Sequence, residues 1–298
     1  MLVYSDHAQV DPWIVADLLL QSTQTLSPLI AVQPLYMHPF AVAKMVVSLS
    51  LSHQRRIDLN FISGGFPRDL EAFCDALTHD ERYERIVEYG LIIRTLLREK
   101  TPVSFDGKHY KIRGLQIPFA SQAAGFDSMF TISGSSPAGL LTAQKLNARA
   151  IQYLRPSTDY QGVTFAPDLQ YGARLGIVAK KTGEEAWEKA RSWYPDDAAG
   201  AEIRKYYTKV SDSVWVKELG GDITVPPGHP YWLGPYQNGH AACPFLVGST
   251  EAVATELAGY IRMGLRTFLV QDPVNDEDAA DITSAFKLAE EMAKDRAA

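Results

Sequence analysis

Short apolar runs alternate with capped, helix-period segments along most of the chain, and that alternation constrains the fold more than any other feature. Residues 2–4, 27–33, 56–62, 129–132, 150–154, 173–180 and 267–271 read as strands. Helix patterns fall between them at 11–20, 38–51, 78–98, 137–146, 182 to beyond Trp187, 198–210, 247–263 and 276–294. Asp11 and Thr78 supply N-caps, Pro12 takes a first helical position, and Thr78 through Glu81 spells a capping box. The helix at 38–51 is expected to turn Ala41, Met45 and Val46 inward, and the one at 182 to open on a second capping box, Thr182 to Glu185. Strands that alternate with helices specify βαβ units and a parallel sheet. Such a sheet is doubly wound or closed into a TIM-type (β/α)8 barrel. A strand number near eight and the lack of a G-x-G-x-x-G fingerprint favour the barrel, an α/β fold.

Two stretches depart from the alternation. Residues 102–112 read as a hairpin turning at Asp106-Gly107. Residues at about 195–244, rich in Gly, Pro and aromatics, read as one helix followed by an irregular insertion or lid on a single domain spanning 1–298.

Composition narrows the function. A net charge of −6 with no basic cluster argues against nucleic acid, and no apolar run reaches the roughly 18–20 residues of a membrane helix. Cys74 and Cys243 form neither a disulfide framework nor a metal-spacing motif, so no metal site is expected. The N-terminal residues lack a signal-peptide pattern, which leaves a cytoplasmic location as the expectation.

The chemistry concentrates at 130–141, Phe-Thr-Ile-Ser-Gly-Ser-Ser-Pro-Ala-Gly-Leu-Leu. A buried strand breaks at Ser133-Gly134-Ser135-Ser136, and Pro137 opens a helix with Ser136 as its N-cap. The turn delivers backbone N–H groups, hydroxyls and a helix N-terminus to one spot. Such a turn seats a phosphate, although an ordinary capped βα turn has the same sequence. Strands ending in polar or glycine-bearing loops put the site at the C-terminal edge of the sheet.

Several segments, in order, resemble one family. They are Asn60-Phe-Ile-Ser-Gly-Gly-Phe-Pro67, His79-Asp-Glu-Arg-Tyr83, Phe105-Asp-Gly-Lys-His-Tyr110, Ile132-Ser-Gly-Ser-Ser136, Phe245-Leu-Val-Gly-Ser249 and Gly264-Leu-Arg-Thr-Phe268. Together they resemble the bacterial-luciferase-like flavin-dependent monooxygenases, closest to the alkanesulfonate monooxygenase branch. The resemblance implies a barrel that binds reduced FMN at its C-terminal face and oxygenates a small organic substrate with O₂ through a flavin C4a-peroxide. It implies that the turn Ser133-Gly134-Ser135-Ser136 binds the cofactor, Ser135 and Ser136 taking the phosphate. Tyr83 would add a phenol to that phosphate, with Arg82 or His79 nearby, and Ser63 and Gly64 would lie against the flavin ring. It further implies a separate flavin reductase, and a homodimer is expected as one way to cover the parallel edge that a trimmed barrel leaves open.

Departures qualify the resemblance. Met1 matches the start of the family's second strand, and 154–173 is too short and Pro/Gly-rich for a normal crossover helix. A trimmed barrel is therefore expected, or a start assigned too late. Gly176 stands where the branch has a histidine, Tyr153 matches its active-site tryptophan, Pro273 its late tyrosine and Gln9 its cysteine. Arg174 is kept and is the candidate contact for an anion or developing oxyanion. Tyr153 is a candidate weak acid lining the pocket, and His7, at the rim, a candidate acid or base. His229 and His240 fall in the lid segment with Trp232 and Tyr236. Two other functions fit the same resemblance: a catalytically silent flavin-binding or partner subunit, and an F420-dependent hydride-transfer oxidoreductase.

Overall fold

The computed structural model describes residues 1–5, 9–160, 165–221 and 223–295. It resolves into two compact units, Met1–Ala150 and Ile151–Ala298.

In the first unit, β1 (Leu2–Val3) leads to α1 (Pro12–Ser22), β2 (Leu29–Val32) to α2 (Pro39–His53), and β3 (Asp58–Phe61) to α3 (Pro67–Ala72) and α4 (His79–Arg98). A hairpin of β4 (Val103–Asp106) and β5 (Lys111–Leu115) precedes β6 (Phe130–Ser133), α5 (Pro137–Lys145) and β7 (Arg149–Gln152), on which the unit ends. Strands β1, β2, β3 and β6 pair in that order, all parallel, with Leu29 opposite Asp58 and Leu59 opposite Phe130. Every residue of β2 and β3 is buried, as a parallel sheet covered on both faces requires.

The caps form where the sequence places them. Asp11 accepts from the Trp13 and Ile14 N–H groups ahead of Pro12. Thr78 and Glu81 exchange both bonds of a capping box. Helix α2 corrects one expectation. Val42, Ala43, Val46 and Val47 are buried, whereas Ala41 and Met45 are only half-buried. The helix starts at Pro39, and packing on α4 selects a stripe rotated by one residue from the one read off the sequence. Helix α3, with only six residues, is too short to show a period and was not expected.

In the second unit, the described residues between Gln152 and Gln170 contain a 3-10 turn, Ser157–Tyr160, and no α-helix. The long β8 (Gln170–Lys180) follows β7 in the sheet order and pairs in addition with two parallel strands, one along each half. Its first half pairs with β11 (Leu265–Val270), Leu175 facing Val270, and its second with β10 (Phe245–Ser249), Gly176 facing Phe245. Between β8 and β11 come α6 (Gly183–Trp193), α7 (Ala198–Val210), α8 (Val214–Leu219), β9 (Tyr231–Trp232), α9 (Gly234–Gln237), β10 and α10 (Thr250–Arg262). Thr182 caps α6 through the Glu185 N–H. Helix α11 (Asp276–Asp295) closes the order.

Two corrections belong here. The segment expected to be irregular after residue 210 is structured: it holds α8, α9 and β9, and β9 pairs antiparallel with β10 while Tyr231 and Tyr236 are buried. Val247-Gly248-Ser249 does not begin a helix. It ends the buried strand β10, and Ser249 caps α10 by accepting from the Ala252 N–H. The apolar run Phe245–Val247 pairs with β8 rather than winding, since a buried strand and a buried helix turn look alike at that length. At the end of β8, buried Lys180 donates to Asp278 and Asp281, both at 2.6 Å, and so ties α11 to the sheet. Removing either kind of partner would strand a buried charge.

Candidate functional site

The turn after β6 gathers hydroxyls, a glycine and a helix N-terminus at one place. Ser136 caps α5, its Oγ accepting from the Gly139 N–H at 3.1 Å, and Pro137 occupies the first helical position. Because the Oγ accepts from the helix, its own proton remains to be donated outward. Tyr83, buried on α4, puts its hydroxyl within clashing distance of where a β-carbon would stand on Gly134. Any side chain at 134 would therefore displace the phenol. The His79 ring lies 5.0 Å from the Tyr83 ring, and its Nδ1 pairs with Asp80 at 2.7 Å. Beneath the turn, buried Asn60 accepts through Oδ1 from Thr131 Oγ1 at 2.7 Å and from Ser133 Oγ at 3.0 Å. A polar side chain inside β3 thus orients the first serine of the turn. Hydroxyl donors, a glycine cradle and a helix N-terminus suit a phosphate monoester dianion.

The loop after β3 has a different logic. Gly64 has φ +78°, and a β-carbon there would meet Gln33 Nε2 at 2.9 Å and Leu70 Cδ2 at 3.0 Å. Its backbone conformation and close packing require glycine. Ser63 Oγ donates to the Gly64 carbonyl at 3.4 Å. Arg82, buried, donates to the Leu77 carbonyl at 3.1 Å and to the Gly64 carbonyl at 3.4 Å. It serves as a brace for the loop that carries Ser63 and Gly64. Gln33, a buried polar residue just past β2, was not singled out from the sequence, where a glutamine after an apolar run carries no signal.

In the second unit, Arg174 lies within β8, opposite Leu269 of β11, with its guanidinium near the Cys243 thiol. Burial pushes that thiol up to about 11, with the nearby guanidinium pulling the other way. The Phe245 ring fills the space a side chain at Gly176 would need, which explains why no histidine stands there. Tyr153 lies one residue beyond β7 rather than in a strand, and stacks on Trp215 at 3.8 Å and 8°. Trp215 carried no motif to announce it. The lid histidines are held by backbone and carboxylate partners: His229 Nδ1 accepts from the Tyr231 N–H at 3.1 Å, its Nε2 lies 3.5 Å from Glu256, and His240 Nε2 bonds the Pro195 carbonyl at 2.8 Å. Trp232 packs against Trp187 and Tyr194. His7 lies outside the described residues. Among the described residues, no group of His, Cys, Asp or Glu is arranged to hold a metal ion, and no helix is long and apolar enough to cross a membrane.

Comparison with known proteins identifies the fold and the family. The family model described as luciferase-like monooxygenase matches residues 1–267. The chain is 31% identical over 285 residues to the 4-(gamma-L-glutamylamino)butanoyl-[BtrI acyl-carrier protein] monooxygenase BtrO of Niallia circulans, covering 93% of this chain and 83% of that protein. Its fold is similar to that of EDTA monooxygenase from Chelativorans sp. BNC1, with a TM-score of 0.69, 15% identity and coverage of 99% of this chain and 82% of the other. It is also similar to the oxygenating constituent of 3,6-diketocamphane monooxygenase from Pseudomonas putida, solved with FMN, at a TM-score of 0.63 and 15% identity, covering 97% and 86%. With its parallel βα units, the chain has the luciferase-like, TIM-barrel type of fold and belongs to the luciferase-like monooxygenase family.

Proposed function

We propose that this chain is an FMN-dependent monooxygenase, and that its substrate is an acyl group carried as a thioester on an acyl carrier protein. One observation carries the cofactor assignment: the Tyr83 hydroxyl, Gly134 and the Ser136-capped start of α5 converge on one point at the end of β6. The substrate assignment draws on the carrier-bound acyl chain named for the Niallia relative.

In this reading Ser135, Ser136 and Tyr83 hold the phosphate, while Ser133 is kept in place by Asn60. Ser63 and Gly64 form the loop against the ring system, stiffened by Arg82. Bound reduced FMN supplies the reaction with O₂ that a protein side chain cannot perform. The chain's own residues then bind, orient and shield. Arg174, on β8 near Cys243, offers N–H donors to a carboxylate or a developing oxyanion. The stacked Tyr153 and Trp215 form an apolar wall that excludes water. His7 remains the candidate for proton transfer. The flavin arrives reduced from a separate reductase, and the working form is a homodimer that covers an open parallel edge.

The test is oxygen uptake with enzymatically supplied FMNH₂ and a carrier-bound acyl thioester, read beside an FMN fluorescence titration. Substrate-dependent oxygen uptake and a hydroxylated product are expected. Flavin binding with no turnover on any acyl substrate would instead assign the chain as a silent flavin-binding subunit. Turnover under strict anaerobiosis with F420 would assign hydride transfer.

A further inference from the structure

Helix α7 is unlike the other long helices of its unit: none of its residues is buried. Ile203, Tyr206 and Tyr207 are 55%, 63% and 42% exposed, and their spacing sets them on one face. The adjoining face carries Arg204, Lys205 and Lys209 against a single acid, Glu202, in a chain whose net charge is −6. Arg204 is fixed: it lies 4.4 Å over the Tyr236 ring and donates to the Tyr236 and Ala241 carbonyls at 2.9 and 3.0 Å. Lys205 reaches only Glu202, three residues back, at 2.7 Å and fully at the surface, while Lys209 has no partner among the described residues. These two ammonium groups are available to a ligand.

A cavity of about 430 Å³ opens beside them, lined by Arg204, Lys205, Thr208, Lys209, Leu219 and Tyr236 among others. From its Tyr236 wall a run of aromatic rings continues inward. Trp215 lies 6.4 Å from Tyr236 and stacks on Tyr153, which directly follows the C-terminal end of β7. A cationic mouth beside an aromatic wall suits a phosphodiester attached to a thin, amide-bearing chain. The exposed apolar stripe beside the mouth suits a macromolecule that carries such a chain.

We propose that the α7 face docks an acidic acyl carrier protein. Lys205 and Lys209 meet its acidic helix and the phosphodiester of its phosphopantetheinyl arm, and Ile203, Tyr206 and Tyr207 form the apolar anchor. The arm enters the cavity between Lys209 and the Tyr236 wall. This rests on the reading of the chain as a monooxygenase of carrier-bound acyl groups, and it assigns the partner's seat. Charge decides between occupants: a second copy laid symmetrically on α7 would set lysines against lysines, whereas an acidic helix is complementary.

The experiment is fluorescence anisotropy with a labelled, acidic holo acyl carrier protein loaded with a 4-(γ-glutamylamino)butanoyl group, titrated with the wild-type chain, K205E/K209E and K205A/K209A. Expected are saturable binding that weakens with salt, a loss of about tenfold in affinity on charge reversal, and a smaller loss on neutralisation. The KM for the carrier-bound thioester should rise in step, while the KM for the same acyl group on N-acetylcysteamine stays constant. Circular dichroism and FMN affinity, which involve no α7 residue, report that the variants are folded. Equal carrier affinity in wild type and K205E/K209E overturns the proposal, as does no carrier binding by the wild type. So does a wild-type dimer that K205E/K209E dissociates without any change in carrier binding, which would make α7 a self-interface. If FMN titration and oxygen uptake succeed in any of these cases, the docking surface is wrong and the monooxygenase reading stands. If they fail as well, that reading falls first.

Discussion

The hydroxyl of Tyr83 lies within clashing distance of the position that a β-carbon on Gly134 would take, so a helix residue and a turn residue fifty-one positions apart crowd one point. Tyr83→Phe should leave the fold unchanged and weaken FMN binding by about 1.5–3 kcal/mol, the usual worth of a hydrogen bond to a charged group. Gly134→Ala, which must push the phenol aside, should weaken it at least as much. Fluorescence titration with FMN measures both; unchanged affinity in both variants would move the phosphate elsewhere.

Asn60 holds the buried hydroxyl of Thr131 and the half-buried one of Ser133. Asn60→Leu should lower stability by about 1–3 kcal/mol, the cost of leaving such groups unsatisfied, and loosen Ser133 as well. Urea unfolding gives the first quantity and FMN titration the second. A variant as stable as wild type would show that Thr131 and Ser133 find other acceptors.

Arg174 and Gly176 separate chemistry from packing. Arg174→Ala should reduce turnover far more than FMN affinity, with Arg174→Lys restoring part of it, because an ammonium keeps the charge and loses the fork. Gly176→His should destabilise the protein by about 1–3 kcal/mol through overpacking on Phe245 without improving turnover. Wild-type rates in Arg174→Ala remove that residue from the mechanism.

The two thiols should differ sharply in reactivity. Cys74 is exposed; Cys243 is buried and its pKa is pushed up to about 11. A disulfide reagent at pH 8 should modify one thiol quickly in the native protein and two in denaturant. For stability the sign follows from a raised acid pKa. Cys243 costs nothing below the unfolded value near 9 and progressively destabilises the native state as pH climbs from there toward 11. Rapid native labelling of both thiols would contradict this.

The α4 capping box makes a prediction at the acid end. The Thr78 backbone N–H, first, and its hydroxyl hold the Glu81 pKa down to about 2 from 4.5. A depressed carboxylate contributes above its unfolded pKa and loses that contribution as pH falls from about 4.5 to about 2. Thermal melts should show a steeper acid loss in wild type than in Glu81→Gln. Parallel curves would mean the box is open in solution.

Much of this was legible in one dimension because its signals are local. A cap sits one to three residues from what it caps, so Asp11, Thr78 and Ser136 could be read directly, and helix α7 was placed to the residue. Order along the chain also carried the family, since a set of weak segments in a fixed sequence does not depend on distance. Short elements were the weak point. Helix α3, strand β10 and the elements between 214 and 237 are set by what they pack on, and fewer than about six residues cannot display a period.

The sequence by itself therefore determined the alternating α/β plan, the serine-capped turn and its chemistry, because turns and caps are contacts between neighbours in the chain. Only the tertiary structure decided which distant side chains meet within each unit: Tyr83 over Gly134 and Asn60 under Ser133 in the first, Cys243 beside Arg174 and Phe245 in the space above Gly176 in the second. Those meetings depend on helix rotation and strand register, and a shift of one residue in either sends a side chain to another face.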